Sequence, residues 1–399
     1  MKKFFLLILF SYTLIASAQW VHQNSGTTGL LYDVFFPTKD TGYVSGTTPG
    51  ILKTTNGGAN WNVLPDTVVP GSLYFTSRDT GYATAYDVIL KTVNGGISWV
   101  IQYSNPSLYG LGAIHFSDKV TGYTSGLSFN QDTMFFIKTT NGGNNWNIIS
   151  YVTDPFFVAP LSGIDFVSRD TGFFTGNSRI YRTLNGCSTV TSVFSSAAFL
   201  NSIHFPTRDT GYAVGYPDAL IKSINMGASW NVMSTPGNNE FYYDVFFTTK
   251  DTGFLAVNGG ALSYGKILKT VNGGNNWVTQ ITDTSITALY FPTNSIGYAV
   301  GANGTILKHT GVVGIEENSG DQLVCYPNPT NGIFTLTTKA GSPKNIIIYN
   351  LNGQEIFRKE KLISEIIPID ISKHLSGIYF VIVTDLKGNR TTKKIVKAE

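Results

Sequence analysis

Hydrophobic and polar residues alternate with period two in short runs through residues 19–311, and glycine-bearing turns break these runs at near-regular intervals. Period two marks strands buried on one face, and regular breaks mark hairpins. Two strings recur. The first, Phe-x-x-(Lys/Arg)-Asp-Thr-Gly-(Tyr/Phe), places its glycine at Gly42, Gly81, Gly122, Gly172, Gly211, Gly253 and Gly297, at spacings of 39, 41, 50, 39, 42 and 44 residues. The second, Ile-Leu-Lys-Thr-x-Asn-Gly-Gly-x-x-Trp, occupies 51–61, 89–99, 136–146, 180–190, 220–230 and 267–277, with a truncated copy at 306–310. Repeats of this length with four strands each predict a propeller of seven blades.

Each repeat can be read physically. The innermost strand ends in aliphatic-x-Phe, from Val34/Phe36 to Leu289/Phe291, so both side chains face the neighbouring blade. Asp-Thr-Gly is expected to turn the first hairpin, its carboxylate accepting backbone N–H groups and its Gly taking a positive φ. Asn-Gly joins strands three and four, and Trp opens the outer strand. Five of the six Trp follow such turns; the sixth is Trp20. The seventh repeat stops after its third strand, so residues 19–22 are expected to supply the fourth and close the ring. In the fourth repeat Cys187 replaces Gly and Val190 replaces Trp, and a weaker outer turn is expected.

Both ends read differently from the middle. Residues 1–18 (MKKFFLLILFSYTLIASA) combine Lys2 and Lys3, an apolar core and a small-residue cleavage site. That is a secretory signal, leaving no transmembrane segment in the mature chain. The propeller is expected over 19–312, a polar linker over 313–322 and a basic β-sandwich of about seven short strands over 323–399. The fold class is therefore all-β: a seven-bladed propeller followed by a small Ig-like sandwich. A charged fraction of 13% with 42 Gly argues against disorder and against long helices. The net charge of +3 implies no nucleic-acid partner, and two Cys exclude a disulfide framework.

The tail resembles the type A C-terminal sorting domain of the type IX secretion system of Bacteroidota. The matching residues are the Gly314-Ile315-Glu316-Glu317 lead-in, Tyr326, Pro327, Asn328, Pro329, Asn331, Gly332, the Gly353-Gln354 turn, Gly377, Ile378, Tyr379, Lys393 and Lys394. The resemblance implies that residues 323–399 are read by the type IX translocon, with the cargo secreted or held on the outer surface after passing through the periplasm. The Thr-x-Asn-Gly-Gly-x-x-Trp strings resemble the Asp-box (BNR) repeat, with Asn in the usual Asp place. The whole of 19–311 resembles the propeller of the photosystem II assembly-factor family. In Asp-box proteins the box is a peripheral structural turn, so this likeness implies a fold before a function.

Candidate chemistry is sparse. A column of cations runs through the third strands: Lys53, Lys91, Lys138, Arg182, Lys222, Lys269 and Lys308. Its expected role is structural, pairing with the turn Asp of each blade. Sialidase chemistry needs clustered Arg and a Glu-activated Tyr, whereas Glu240 is the single propeller Glu. Asp33 and Asp244 share a column, which keeps open a glycan-active hydrolase with paired Asp; Asp87, Asp132 and Asp218 fall in loops. His115 and His204 share a strand column as packing or channel residues, and no metal or cofactor motif appears. The preferred reading is a non-catalytic module binding a protein or glycan through its variable loops. Its candidate contacts are Asp132, Phe156, Phe157, Asn238, Asn239, Phe241, Tyr242, Tyr243 and Tyr264.

Overall fold

The computed structural model describes residues 19–48, 50–65, 69–153, 159–237, 239–259, 264–310, 323–338, 345–350, 355–360, 364, 366–384 and 390–398. The expected signal (1–18), the linker (313–322) and the Gly353-Gln354 turn lie outside the described residues. The chain divides between residues 312 and 313 into two compact units.

The first unit is a seven-bladed β-propeller. Six four-stranded sheets follow chain order, beginning with blade 1 (Leu31–Phe35, Gly42–Gly46, Ile51–Thr54, Asn62–Val63). The seventh is composite: Gln19–Gln23 pairs antiparallel with Ile306–Thr310, outside Ile296–Gly301 and Ile286–Tyr290. Trp20 faces His309 across that pairing, and His22 Nε2 lies 2.7 Å from an Asp283 carboxylate oxygen on the preceding blade.

Stacked rings join the blades. The Tyr or Phe after each turn glycine lies face to face with the motif Phe of the following blade, at 3.5–4.4 Å between centroids. The series ends where it began, with Tyr298 of blade 7 stacked 3.8 Å from Phe36 of blade 1. Each Trp then meets the motif Phe of its own blade edge-on, at 5.7–6.0 Å. Blade 4, which lacks the Trp, turns Phe174 edge-on to Phe166 at 5.7 Å instead. Rings arranged this way bury large apolar area and add about 0.5–1.5 kcal/mol per pair beyond it.

Three turn expectations are corrected. The motif glycine does not need a positive φ: at Gly42 a Cβ would lie 2.3 Å from the Phe36 ring, so the ring excludes any side chain. The turn N–H is bonded not by the Asp carboxylate but by the residue two before it, as Thr41 N donates to Thr38 Oγ1 at 3.0 Å. The Asp contributes its main chain, since Gly57 N donates to the Asp40 carbonyl at 2.8 Å and so ties the two turns of one rim together. The blade 4 turn is not weakened: Cys187 N donates to Thr183 Oγ1 at 2.8 Å as Gly58 N does to Thr54 Oγ1 at 2.9 Å. Cys187 adopts φ +67° to do so.

The cation column also finds a different partner. Lys Nζ reaches forward to the carbonyl of the next blade's Asn-Gly turn: Lys53 to Gly95 at 2.9 Å, Lys91 to Gly142 at 2.6 Å, Lys222 to Gly273 at 2.9 Å and Lys308 to Gly57 at 2.7 Å. The stem crosses a Tyr face on the way, as Lys53 does over Tyr43. The role is structural, but the acceptor is a peptide carbonyl rather than an Asp. Lys266, outside that column, pairs with Glu240 at 2.7 Å.

The second unit is a sandwich of a three-stranded sheet (Leu323–Tyr326, Ile333–Thr338, Ile366–Asp370) and a four-stranded one (Glu355–Glu360, Asn345–Asn350, Gly377–Thr384, Arg390–Lys397). Alternate residues such as Leu336, Ile348, Ile369, Val381 and Ile395 form its core. Asn328, between Pro327 and Pro329, fastens the loop to the last strand. Its Nδ2 donates to the Lys394 carbonyl, and its Oδ1 accepts from Val396 N, both at 2.8 Å. Asn331 Oδ1 accepts from Ile333 N, and Gly332, at φ +114°, gives its carbonyl to Ile371 N. Tyr326 is exposed and Tyr379 buried, while Lys393 and Lys394 pair with Val381 and Phe380 on the strand that Gly377 begins.

Candidate functional site

An innermost propeller strand has a partner on one side only. Its other edge faces the channel, and the backbone groups there need side-chain partners. The residue before each aliphatic supplies some of them. Asp33 Oδ1 accepts from Val34 N and Oδ2 from Leu73 N on the next blade, both at 2.8 Å. Asp244 repeats this with Val245 N and Leu289 N, and also accepts from Ser202 Oγ at 2.6 Å.

The middle residue of aliphatic-x-Phe forms a second layer: Phe35, Tyr74, His115, Asp165, His204, Phe246 and Tyr290. Neighbouring rings touch around much of this girdle. Phe35 lies 4.7 Å from both Tyr74 and Tyr290, Tyr74 lies 5.1 Å from His115, and His204 lies 4.4 Å from Phe246. Asp165 fills the gap, its Oδ2 accepting from Phe205 N at 2.7 Å and its Oδ1 lying 4.0 Å from His115 Nδ1.

Burial dominates the electrostatics. It pushes Asp33 up to about 6, against the pull of the Leu73 and Val34 N–H groups. Asp165 and Asp244 rise to about 7 for the same reason, the latter also through the charge of Asp33. Burial lowers His115 and His204 to about 4, so both imidazoles are neutral near pH 7.

Between the two layers and the variable-loop rim lies a cavity of about 700 Å³. Asp33, Asp165, Asp244, His115, Tyr74 and Tyr290 line it, and Pro160, Asn201 and Tyr243 stand toward the loops.

Of the loop residues expected to bind ligand, Tyr243 alone lines this cavity among those described. Tyr242 is the clear correction: strand alternation turns it into the core between blades 5 and 6, fully buried against Val214 and Leu220. Phe241 stacks on Tyr216 at 3.6 Å. Asn239 gives its N–H to the Asp218 carboxylate. Tyr264 is 46% exposed. Asp132, on blade 3, is exposed and accepts from Ser128 Oγ and Thr133 Oγ1 at 2.9 Å each. Phe156, Phe157 and Asn238 lie outside the described residues. Among the described candidates, Asn239, Phe241, Tyr243 and Tyr264 belong to blade 6, where the Phe241 and Tyr243 rings lie 6.2 Å apart, while Asp132 lies on blade 3. Sequence reasoning missed Asp165, Tyr74 and Tyr290; the signal was the central position of aliphatic-x-Phe, where polar and aromatic residues recur in an otherwise apolar run.

Residues 324–398 match the family described as the secretion system C-terminal sorting domain. The chain carries a sorting tail. This sorting domain supports export by type IX secretion to the cell surface or beyond, and no described helix is long and apolar enough to cross a membrane. No curated protein matches the chain. Among solved structures, YCF48 bound to D1 peptide shares the fold at 17% identity and TM-score 0.58, covering 75% of this chain and 99% of that one. YCF48 from Cyanidioschyzon merolae also has 17% identity and TM-score 0.58, over 73% and 99%. The GH74 xyloglucanase from Xanthomonas campestris has 10% identity and TM-score 0.57, over 96% and 74%. At these identities the likeness fixes the propeller fold alone.

Proposed function

We propose that this protein is a type IX cargo whose propeller is a non-catalytic binding module for a protein or glycan. Residues 1–18 direct it to the periplasm, and the translocon reads residues 323–399 for release or surface attachment. The observation that carries the binding reading is the cavity on the variable-loop side, with aromatic rings on its wall and carboxylates committed to backbone N–H groups. Such a site grips by shape, stacking and hydrogen bonds. The YCF48 relative, solved with a peptide, supports a propeller of this kind as a peptide holder.

Two measurements test this. Deleting residues 323–399 strands the propeller in the periplasm; surface display of the truncated form refutes the sorting role. The exported full chain binds a member of a glycan array or a surface-protein pull-down, and Tyr243→Ala weakens that binding at least tenfold. No effect of Tyr243→Ala removes the variable face from the reading.

A glycan hydrolase is the second reading, favoured by one observation: Asp165 and Asp244 at about 7 hold protons near neutral pH, as a general acid must. Sugar release from xyloglucan or another β-glucan, abolished by Asp244→Asn, would establish it over the binding module.

A further inference from the structure

We propose that the channel cavity accepts an organic cation: a primary ammonium or guanidinium group, carried by a peptide side chain or by a free polyamine. This deepens the binding reading by naming the chemistry the cavity takes.

The argument begins with a missing partner. Asp33, Asp165 and Asp244 line one cavity, and no Lys or Arg does among the described residues. A buried carboxylate is either matched by a cation or stays protonated, so a cationic ligand supplies the match once these groups ionise above about pH 7. The propeller's third-strand cations do not supply one, because they reach forward to turn carbonyls at the opposite rim.

Donor and acceptor counting sharpens this. A carboxylate has about four acceptor sites. Asp33 uses two on Val34 N and Leu73 N and a third on the Ser72 side chain. His115 and His204 are neutral near pH 7, so each ring carries one acceptor nitrogen and one donor N–H. His204 Nδ1 already accepts from Phe247 N at 3.2 Å. His115 makes no hydrogen bond to a described residue, its nearest charged neighbour being Asp165 at 4.0 Å. Three carboxylates and the His115 acceptor nitrogen therefore share one wall without a Lys or Arg among the described residues, and a ligand that brings N–H groups can complete them.

The aromatic girdle is an independent pointer. Phe35, Tyr74, Phe246 and Tyr290 succeed one another around the wall with ring contacts of 4.7–5.7 Å. Ring faces attract a desolvated cation through the ring quadrupole. Carboxylates and π faces together select an amine over a neutral sugar.

The test is calorimetric titration of the mature full chain at pH 8. The probes are Nα-acetyl-lysine amide, Nα-acetyl-arginine amide, spermidine, a Lys-containing pentapeptide, and Nα-acetyl-norleucine amide as neutral isostere. At least one cation binds, and norleucine amide binds at least tenfold more weakly. Spermidine as the tightest probe identifies a free polyamine, and the pentapeptide identifies a peptide side chain. Asp244→Asn weakens the cation at least tenfold; should that variant not fold, the lysine–norleucine comparison on the wild type decides. Equal binding of lysine and norleucine amides, or none by any cation, overturns the inference. If Tyr243-dependent glycan or protein binding persists in that event, the cation assignment alone falls; if that binding is absent too, the binding reading falls with it.

Discussion

Trp20→Ala is the sharpest probe of how the ring is held shut. Trp20 is 3% exposed and sits on the only strand that reaches its blade from the far end of the propeller sequence. Its ring meets Phe254 at 6.0 Å and Phe291 at 5.9 Å, both edge-on, and His309 at 5.0 Å. A buried Trp removes roughly 150–250 Å² from water. At about 25 cal/mol per Å² this is roughly 4–6 kcal/mol. Relaxation of the strand offsets part of it, which leaves about 4 kcal/mol, within the usual range for large-to-Ala changes. With a urea slope of roughly 2–3 kcal/mol/M, the midpoint falls by about 1.5 M. The assay is urea unfolding of the mature chain followed by circular dichroism, with Trp61→Ala as comparator. Trp61 also lies edge-on to its motif Phe, but a hairpin turn tethers its strand. If Trp20→Ala moves the midpoint by less than about 0.3 M while Trp61→Ala moves it by more than 1 M, the N-terminal strand does not hold blade 7.

Two further outcomes follow from the same contacts. Lys222→Met should cost about 1 kcal/mol more than Lys269→Met in the same unfolding assay. Lys222 loses a charged bond to Gly273, whereas Lys269 precedes blade 7, which has no such turn among the described residues, and rests over Phe254. Between pH 4.5 and 6 stability should be nearly flat in the wild type and should fall with rising pH in His115→Gln. In that window the folded state holds protons on Asp33, Asp165 and Asp244, whose folded values are raised, while the unfolded state holds them on His115, His204 and His309, whose folded values are lowered. Three bound protons balance three. Removing His115 leaves the unfolded state one proton short, a slope of about −1.4 kcal/mol per pH unit. An unchanged slope by urea unfolding across that range contradicts the assignment.

The architecture was legible because it is repetitive. Seven copies of one turn and one Phe position fix strand order, and the single Trp without a preceding turn points to the closing strand. What the turn residues do was less legible. A glycine excluded from bearing a Cβ by a neighbouring ring looks, in one dimension, like a glycine needed for its φ. The acceptor of Lys53 lies on the next repeat, 42 residues away, where no local rule reaches. The candidate site was harder still. Loop composition drew attention to Phe241 and Tyr242, but strand alternation sends one against Tyr216 and the other inward. Asp165 and Tyr290 sit within the repeat itself, at a position whose variation reads as noise until seven copies are laid around a common axis.

Gln19 lies directly across from Thr310, so the polypeptide enters and leaves the ring on the same blade and at the same end. Six blades are looped together by continuous chain, and the seventh works as a buckle. It is the one seam that can open without cutting a peptide bond. Tension applied through residues after Thr310 arrives at that seam before it reaches any other blade, so the mechanical tolerance of the toroid is set by five residue pairs between Gln19–Gln23 and Ile306–Thr310.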